Sequence, residues 1–274
     1  MSSIDIRMIN TLEDIELVQK LEGEIWSGTD TVPGHQYYTA VQNGGLLLGA
    51  YINKQLVGFS YSFPGYKNKV LYLYSHMLGI KEGYRSLGIG EQLKWRQREE
   101  AIKLGYSLIC WTYDPLEAVN ASLNIRKLRG IIGNYYHNYY GEMNDELNKG
   151  ISSDRFLVHW WIQSKHVEQK QIVTNIAVYD HNCLLKIKIN AAMQPEIVEE
   201  KKITNDVNEY FVPIPSQFQQ LKNNNLPLAI EWRHKTRNTF TTLLEAGYTA
   251  VNLIRNEIEP ICYYHFVKKD KIYL

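Results

Sequence analysis

Apolar positions in the first part of the chain switch repeatedly between a period of two and a period near 3.6. Residues 4–9 read as a strand, and residues 12–26 as a helix with Leu12, Ile15, Leu17, Val18, Leu21 and Ile25 along one stripe. Thr11, with Asp14 three residues later, predicts a capped start for that helix. Pro33-Gly34 predicts a turn, followed by a short segment and by strand-like runs at 46–52 and 56–63 joined through Asn53-Lys54-Gln55. A longer apolar run, 70–80, leads through a glycine-punctuated stretch to an amphipathic helix at 89–104. The next strand, 107–113, is stopped by Asp114-Pro115.

The pattern changes after about residue 165. Residues 163–171 are polar without an apolar period, as a linker or exposed turn is. Strand-like runs follow at 172–179 and 183–189, then a polar stretch from 194 to 208. A further strand is predicted at 210–214, and Ser216 is placed to cap a short helix reaching Lys222. Pro227 suits the first turn of a longer helix through Trp232, Phe240, Leu243, Leu244 and Ala246, closed by Gly247. Strands at 251–254 and 261–267 end the chain. The expected organisation is a domain over 1–165 and a smaller α/β subdomain over 166–274.

Composition narrows the class of protein. A chain of 274 residues, 45% hydrophobic, can bury one large or two modest cores. A formal net charge of +1 is no attraction for nucleic acid or an anionic membrane. Cys110, Cys183 and Cys262 are odd in number and lie outside any C-x-x-C spacing, which suggests reduced, structural thiols and a cytoplasmic protein. The N-terminus carries no apolar signal segment, and no run approaches the roughly eighteen apolar residues that span a bilayer. No metal-ligand cluster is expected.

Candidate chemistry concentrates in Gly83-Tyr84-Arg85-Ser86-Leu87-Gly88-Ile89-Gly90, between the 70–80 strand and the 89–104 helix. Glycines at the start of a helix let consecutive N–H groups approach a phosphate, and Arg85 adds a charge-assisted contact. A Walker loop requires Lys followed by Ser or Thr at the helix start, which is missing. A dinucleotide fingerprint requires a third glycine where Leu93 stands, and follows its strand more closely. Asp114 at the end of the next strand is its weak counterpart of a ribose-binding acid.

The R-x-x-G-x-G pattern from Arg85 to Gly90 resembles the pyrophosphate loop of the GNAT acyltransferase superfamily, and the order of elements around it is similar too. Downstream, Trp111-Thr112-Tyr113-Asp114-Pro115-Leu116, Asn120-Ala121, Asn124, Lys127-Leu128, Tyr140-Gly141 and Ser153-Asp154-Arg155-Phe156 resemble a bacterial branch of that superfamily. Some of its members are similar to CoA-dependent N-acyltransferases of amino acids, including N-succinylation associated with acylamino-acid racemases. The resemblance implies a mixed, mostly antiparallel central sheet flanked by helices. It also implies acetyl-CoA or another acyl-CoA as co-substrate and a small-molecule amine as acceptor. The C-terminal subdomain resembles half of such a domain without the phosphate loop. It is expected to complete the substrate pocket or an oligomer contact such as a homodimer.

By that resemblance Leu78 and Ile80 lie beside the pantetheine arm, and Arg85, Ser86, Leu87, Gly88, Ile89 and Gly90 beneath the pyrophosphate. An attacking amine must be neutral, so the site needs a base or a pocket that lowers the amine pKa. His76 is one candidate, its alternative being a histidine satisfied in a strand-rich core. Asp114 is another, binding the substrate ammonium or serving as base, against a role in stiffening the Asp-Pro turn. Asn120 and Asn124, four apart on a helix face, suit the pantetheine amides or simple capping. Arg155 suits a substrate carboxylate or a structural ion pair with Asp154 or another acid. Arg233 and Arg237 share a helix face, read as solvated or interdomain. The superfamily's acid is often a Tyr two residues before the Lys of Y-x-K-x-G; here that position is Ile125. A non-catalytic acyl-CoA-binding or sensor protein is therefore the rival expectation, with a protein acetylase behind it.

Overall fold

The protein is described by a computed structural model over residues 3–26, 31–143, 145, 148–169, 176–204 and 207–274. Its chain divides into two compact units, residues 1–111 with 160–163 and residues 112–159 with 164–274. The division therefore falls inside two strands rather than at residue 165.

In the first unit come β1 (Asp5–Met8), α1 (Leu12–Trp26), α2 (Gly34–Gln42), β2 (Leu46–Ile52), β3 (Gln55–Lys67), β4 (Val70–Ile80) and α3 (Ile89–Lys103), leading into β5 (Leu108–Tyr113). Thr11 Oγ1 accepts from the Asp14 amide at 3.2 Å, so α1 starts where its cap predicts. Both hairpins turn on an Asn-Lys pair with positive φ, Asn53-Lys54 between β2 and β3 and Asn68-Lys69 between β3 and β4. Two consecutive left-handed residues match the twist of the flanking strands, and Asn tolerates that region best after Gly. Strand alternation then sends neighbours to opposite faces. Leu47, Phe59 and Tyr61 pack with Ile15, Val18 and Leu21 of α1 and Tyr37 of α2, while Leu48, Ala50 and Val57 pack with Ile89 and Leu93 of α3.

The second unit contains α4 (Ala118–Ala121), β6 (Ile131–Tyr136), β7 (Arg155–Trp161), α5 (Lys165–Glu168), β8 (Leu185–Ile189), β9 (Pro195–Glu200), β10 (Glu209–Pro215), α6 (Phe218–Asn224), α7 (Leu226–Glu245), β11 (Tyr248–Arg255) and β12 (Ile261–Lys268). Strand order is β1-β2-β3-β4-β5-β7-β6 in a seven-stranded sheet, β10-β12-β11 in a second sheet and β8-β9 in a hairpin. The β4–β5 pair is parallel, whereas β1–β2, β2–β3, β3–β4 and β6–β7 are antiparallel. The expected mixed, mostly antiparallel sheet with helices is thus present.

Several local expectations fail. Of the strand expected at 172–179, residues 176–179 are not in a strand and the rest lies outside the described residues. The polar stretch from 194 contains β9, because its Glu-rich face is solvated while Pro195 and Ile197 are buried against the chain. Gln217, not Ser216, precedes α6, and no side chain caps it. Asn225 caps α7 by accepting from the Leu228 amide at 3.2 Å, two residues before Pro227. Among the described residues no helix is long and apolar enough to cross a membrane.

Candidate functional site

The first unit holds a strand that is prised away from its neighbour. β4 pairs with β5 only at Leu73–Ile109 and Tyr74–Cys110, although it runs on to Ile80. From Ser75 onward its β5-side edge has no partner strand among the described residues, and an unpaired edge offers backbone N–H and C=O groups to a ligand. On the other edge the register with β3 slips, Tyr61 facing Met77 and Ser62 facing Ser75. His76 is the extra residue of this bulge, a device that re-aims one side chain. Leu78 and Ile80 turn their side chains into the cluster with Val57, Ile89 and Leu93, so what they offer a ligand is backbone.

β4 ends in a short turn, Glu82–Tyr84, and the loop then enters α3 through two left-handed residues, Ser86 with φ 69° and Gly88 with φ 75°. A Cβ on Gly88 would have nothing nearer than Gln92 Nε2 at 3.9 Å, and one on Gly83 nothing within 4 Å. Both positions face open space. No side chain caps α3, whose first hydrogen bond runs from the Gln92 amide to the Gly88 carbonyl at 3.1 Å. The amides at the start of this 15-residue helix form the positive end of its dipole, suited to a phosphate. Arg85 Nε donates to the Ile80 carbonyl at 3.3 Å, holding an exposed guanidinium beside the loop, and Ile89 anchors the helix start in the core.

His76 sits among the rings of Tyr61, Phe63 and Tyr74, with centroids 5.6–6.3 Å away. Loss of hydration among these rings lowers its pKa, so the imidazole is neutral at neutral pH and able to accept a proton. Beneath the same strand lies Lys94, 2% exposed, donating to Ser75 Oγ at 2.8 Å and Gln97 Oε1 at 3.1 Å, with Nζ 3.7 Å from the Trp111 ring centroid. Burial holds its pKa well below the usual lysine value. Sequence inspection passes over Lys94, although it falls with Gln97 on the stripe of Ile89, Leu93 and Ala101 that faces the core.

The stability consequence has a definite sign. Between the lowered folded value and an unfolded value near ~10.4, the unfolded chain binds more protons, so stability rises with pH across that window. Lys94→Met is expected to melt higher than the parent at about pH 7 and to lose most of the rise in melting temperature toward about pH 10. A lower melting temperature with the slope retained would contradict the assignment.

In the second unit Asp114 is already engaged. Its Oδ1 accepts from the Leu116 amide at 2.9 Å and from Arg233 at 2.8 Å, while the other guanidinium nitrogen of Arg233 holds Oδ2. Its oxygens thus serve the Asp-Pro turn and a bidentate ion pair. Arg155 donates to the Asp154 carbonyl and to Asn148 Oδ1, each at 2.9 Å, and lies 3.9 Å from Asp114 Oδ2. These contacts fit the structural reading of Arg155. Asp154 is fully buried, receiving Arg237 Nε at 2.7 Å, the Asn138 amide at 3.0 Å and the Tyr135 hydroxyl. Burial alone would raise its pKa, and Arg237, Tyr135 and the Asn138 amide outweigh it, leaving the carboxyl below its usual range.

Arg233 is 1% exposed, so of the two expected faces, solvated or interdomain, the solvated one does not hold for it: the acids at 114 and 154 draw the Arg233–Arg237 stripe of α7 inward. Asn120 and Asn124 do not share one environment either. α4 passes into a wide turn over Ser122–Lys127, in which the Leu128 amide reaches back five residues to the Leu123 carbonyl, leaving Asn120 exposed and Asn124 buried. Ile125, at the position of the superfamily's acid, is fully buried. All three cysteines are buried free thiols.

No protein-family model matches the sequence, and a search of curated proteins finds no match. Among solved structures, an N-acetyltransferase from Staphylococcus aureus Mu50 is similar, with 17% identity over 59% of this chain and 100% of that chain and a TM-score of 0.48. The ribosomal-protein-S18-alanine N-acetyltransferase from Escherichia coli is similar at 14% identity over 58% of this chain and 94% of that one, TM-score 0.47. Arabidopsis thaliana Naa50, in complex with the bisubstrate analogue CoA-Ac-MVNAL, is similar at 19% identity over 57% and 97%, TM-score 0.45.

Proposed function

We propose that the chain is a GNAT-type N-acyltransferase that moves an acyl group from CoA to the amine of a small molecule. The observation that carries this reading is the continuity of the opened β4 edge with an uncapped, left-handed glycine loop at the start of α3. An extended amide-bearing arm suits the edge, and a pyrophosphate suits the loop. The amine attacks the thioester carbonyl directly, a backbone N–H of the opened strand stabilises the oxyanion, and neutral His76 takes the ammonium proton directly or through water. The leaving thiolate takes a proton from solvent, since Ile125 supplies none. Acetyl or succinyl as the acyl group and an amino acid as the acceptor rest on the motif resemblance, and a cytoplasmic location rests on the three scattered cysteines.

The buried Ile125 favours one second reading, an acyl-CoA-binding sensor without turnover. Free-thiol release from acetyl-CoA and succinyl-CoA across a panel of amino acids and other small amines separates the two. Saturable release with at least one amine is expected. A tight CoA complex that releases no thiol with any amine would replace the enzyme reading by the sensor. In either case Gly88→Trp removes two or more amide contacts to phosphate, each worth about 1.5–3 kcal/mol. CoA affinity should fall by about a hundredfold or more, measured by calorimetry. Unchanged affinity would sink the loop assignment itself.

A further inference from the structure

Lys94 stands where β4 and β5 part. Continuing the parallel register of Leu73–Ile109 and Tyr74–Cys110 by one step would set Ser75 opposite Trp111, with both side chains on one face of the sheet. The ladder stops short of that pair, and the Lys94 amine touches both of its members: Nζ donates to Ser75 Oγ at 2.8 Å and lies 3.7 Å from the Trp111 ring centroid. Gln97, three residues further along α3, accepts from the same nitrogen at 3.1 Å. The Trp111 ring is fixed in turn, edge to face with Trp160 at 5.8 Å, and Trp160 with Trp95 at 5.5 Å.

As core filler this amine is a poor choice. The partners it has among the described residues are a hydroxyl, an amide oxygen and a ring, so no opposite charge there offsets its lost hydration. A methionine would occupy similar volume without that cost. A residue that destabilises where an apolar one would stabilise marks a working position in a fold.

What Lys94 touches indicates the work. Simple alternation along β4 would return Met77 to the face of Ser75. Instead Ser75 is held toward α3, while Met77 meets the Tyr37 hydroxyl and His76 lies beside Tyr61 and Phe63, so the bulge reverses the alternation just after Ser75. The hydrogen bond from Lys94 pins the residue from which His76 departs. We infer, on the acyltransferase reading of the opened edge, that Lys94 is a positioning residue which acts through Ser75 to aim His76 at the substrate amine. It makes no bond to substrate and moves no proton.

Lys94→Met, Ser75→Ala and the double variant test this in the full chain. Each single variant should lower kcat for thiol release by about ten- to hundredfold, the loss a displacement of about 1 Å produces, and leave CoA affinity within a factor of about two. The double variant should be no slower than the slower single one, because both substitutions break one link. Lys94→Met should lose turnover while melting higher than the parent at about pH 7, a combination that damage to the fold does not give. Titration of His76 by 15N resonances of its ring reads the same link without turnover: in either single variant its pKa should rise toward about 6.5 as the imidazole leaves its ring of aromatic neighbours. A parent that releases no thiol with any amine would end the enzyme reading, and the His76 shift in both variants would still uphold the link from Lys94. Undiminished kcat in Lys94→Met, additive losses in the double variant, or a His76 titration identical in parent and variants would each overturn the proposal.

Discussion

His76→Ala is expected to lower kcat for thiol release by about 10²–10⁴-fold while CoA affinity stays within a factor of about two. The asymmetry follows from position. His76 is the extra residue of the β3–β4 bulge and stands in a ring of Tyr61, Phe63 and Tyr74, whereas the proposed phosphate contacts come from the loop before α3. The pH profile of the parent carries the same information. Partial desolvation lowers the His76 pKa, so the base form is fully present at neutral pH and is lost only as pH falls through a value below 6.5. The acidic limb of kcat/KM should sit in that range and disappear in His76→Ala. Equal turnover in the variant, or a limb that survives it, would leave desolvation of the amine by the pocket as the means of activation.

Arg233→Met is expected to destabilise the protein by about 3–5 kcal/mol, because it leaves Asp114 buried without its bidentate partner. Urea unfolding followed by far-ultraviolet circular dichroism measures this directly. The double variant Asp114→Leu with Arg233→Met should recover part of the loss, since replacing both charges by apolar groups of similar size removes the orphan. A single variant within about 0.5 kcal/mol of the parent would make this an ion pair of surface type, against an Arg233 that is 1% exposed.

Much of this architecture was legible in the linear chain because it depends on short-range rules. The α1 stripe from Leu12 to Ile25, its Thr11 cap, the Asn53-Lys54 turn and the β4–loop–α3 succession all follow from local periodicity and backbone preference. The two-residue hairpin at Asn68-Lys69 uses the same chemistry as Asn53-Lys54. Local pattern misleads where partners are distant. β9 is polar on its outer face, and only its pairing with β8 makes a strand of it. A helix-face argument put Asn120 and Asn124 together, yet the wide turn over Ser122–Lys127 separates them, because an i→i−5 hydrogen bond is not encoded by spacing. Lys94 looks like a surface residue until Ser75 and Trp111 close over it.

Glycine and arginine mark the boundary between the two kinds of knowledge. Gly88 by itself announces a left-handed entry to a helix, since φ 75° suits no other residue as well, and the sequence therefore determined a phosphate-compatible loop after a strand. Whether Asp114, Arg155 and Arg233 act on a substrate or on one another is a matter of three-dimensional charge pairing. In a low-dielectric interior each buried charge must find a partner, and residues more than a hundred positions apart meet that demand, as Asp114 and Arg233 do at 2.8 Å. The opening of β4 from β5 and the emergence of His76 from a bulge are likewise decisions of the tertiary structure. Each depends on residues distant in sequence, which no local pattern records.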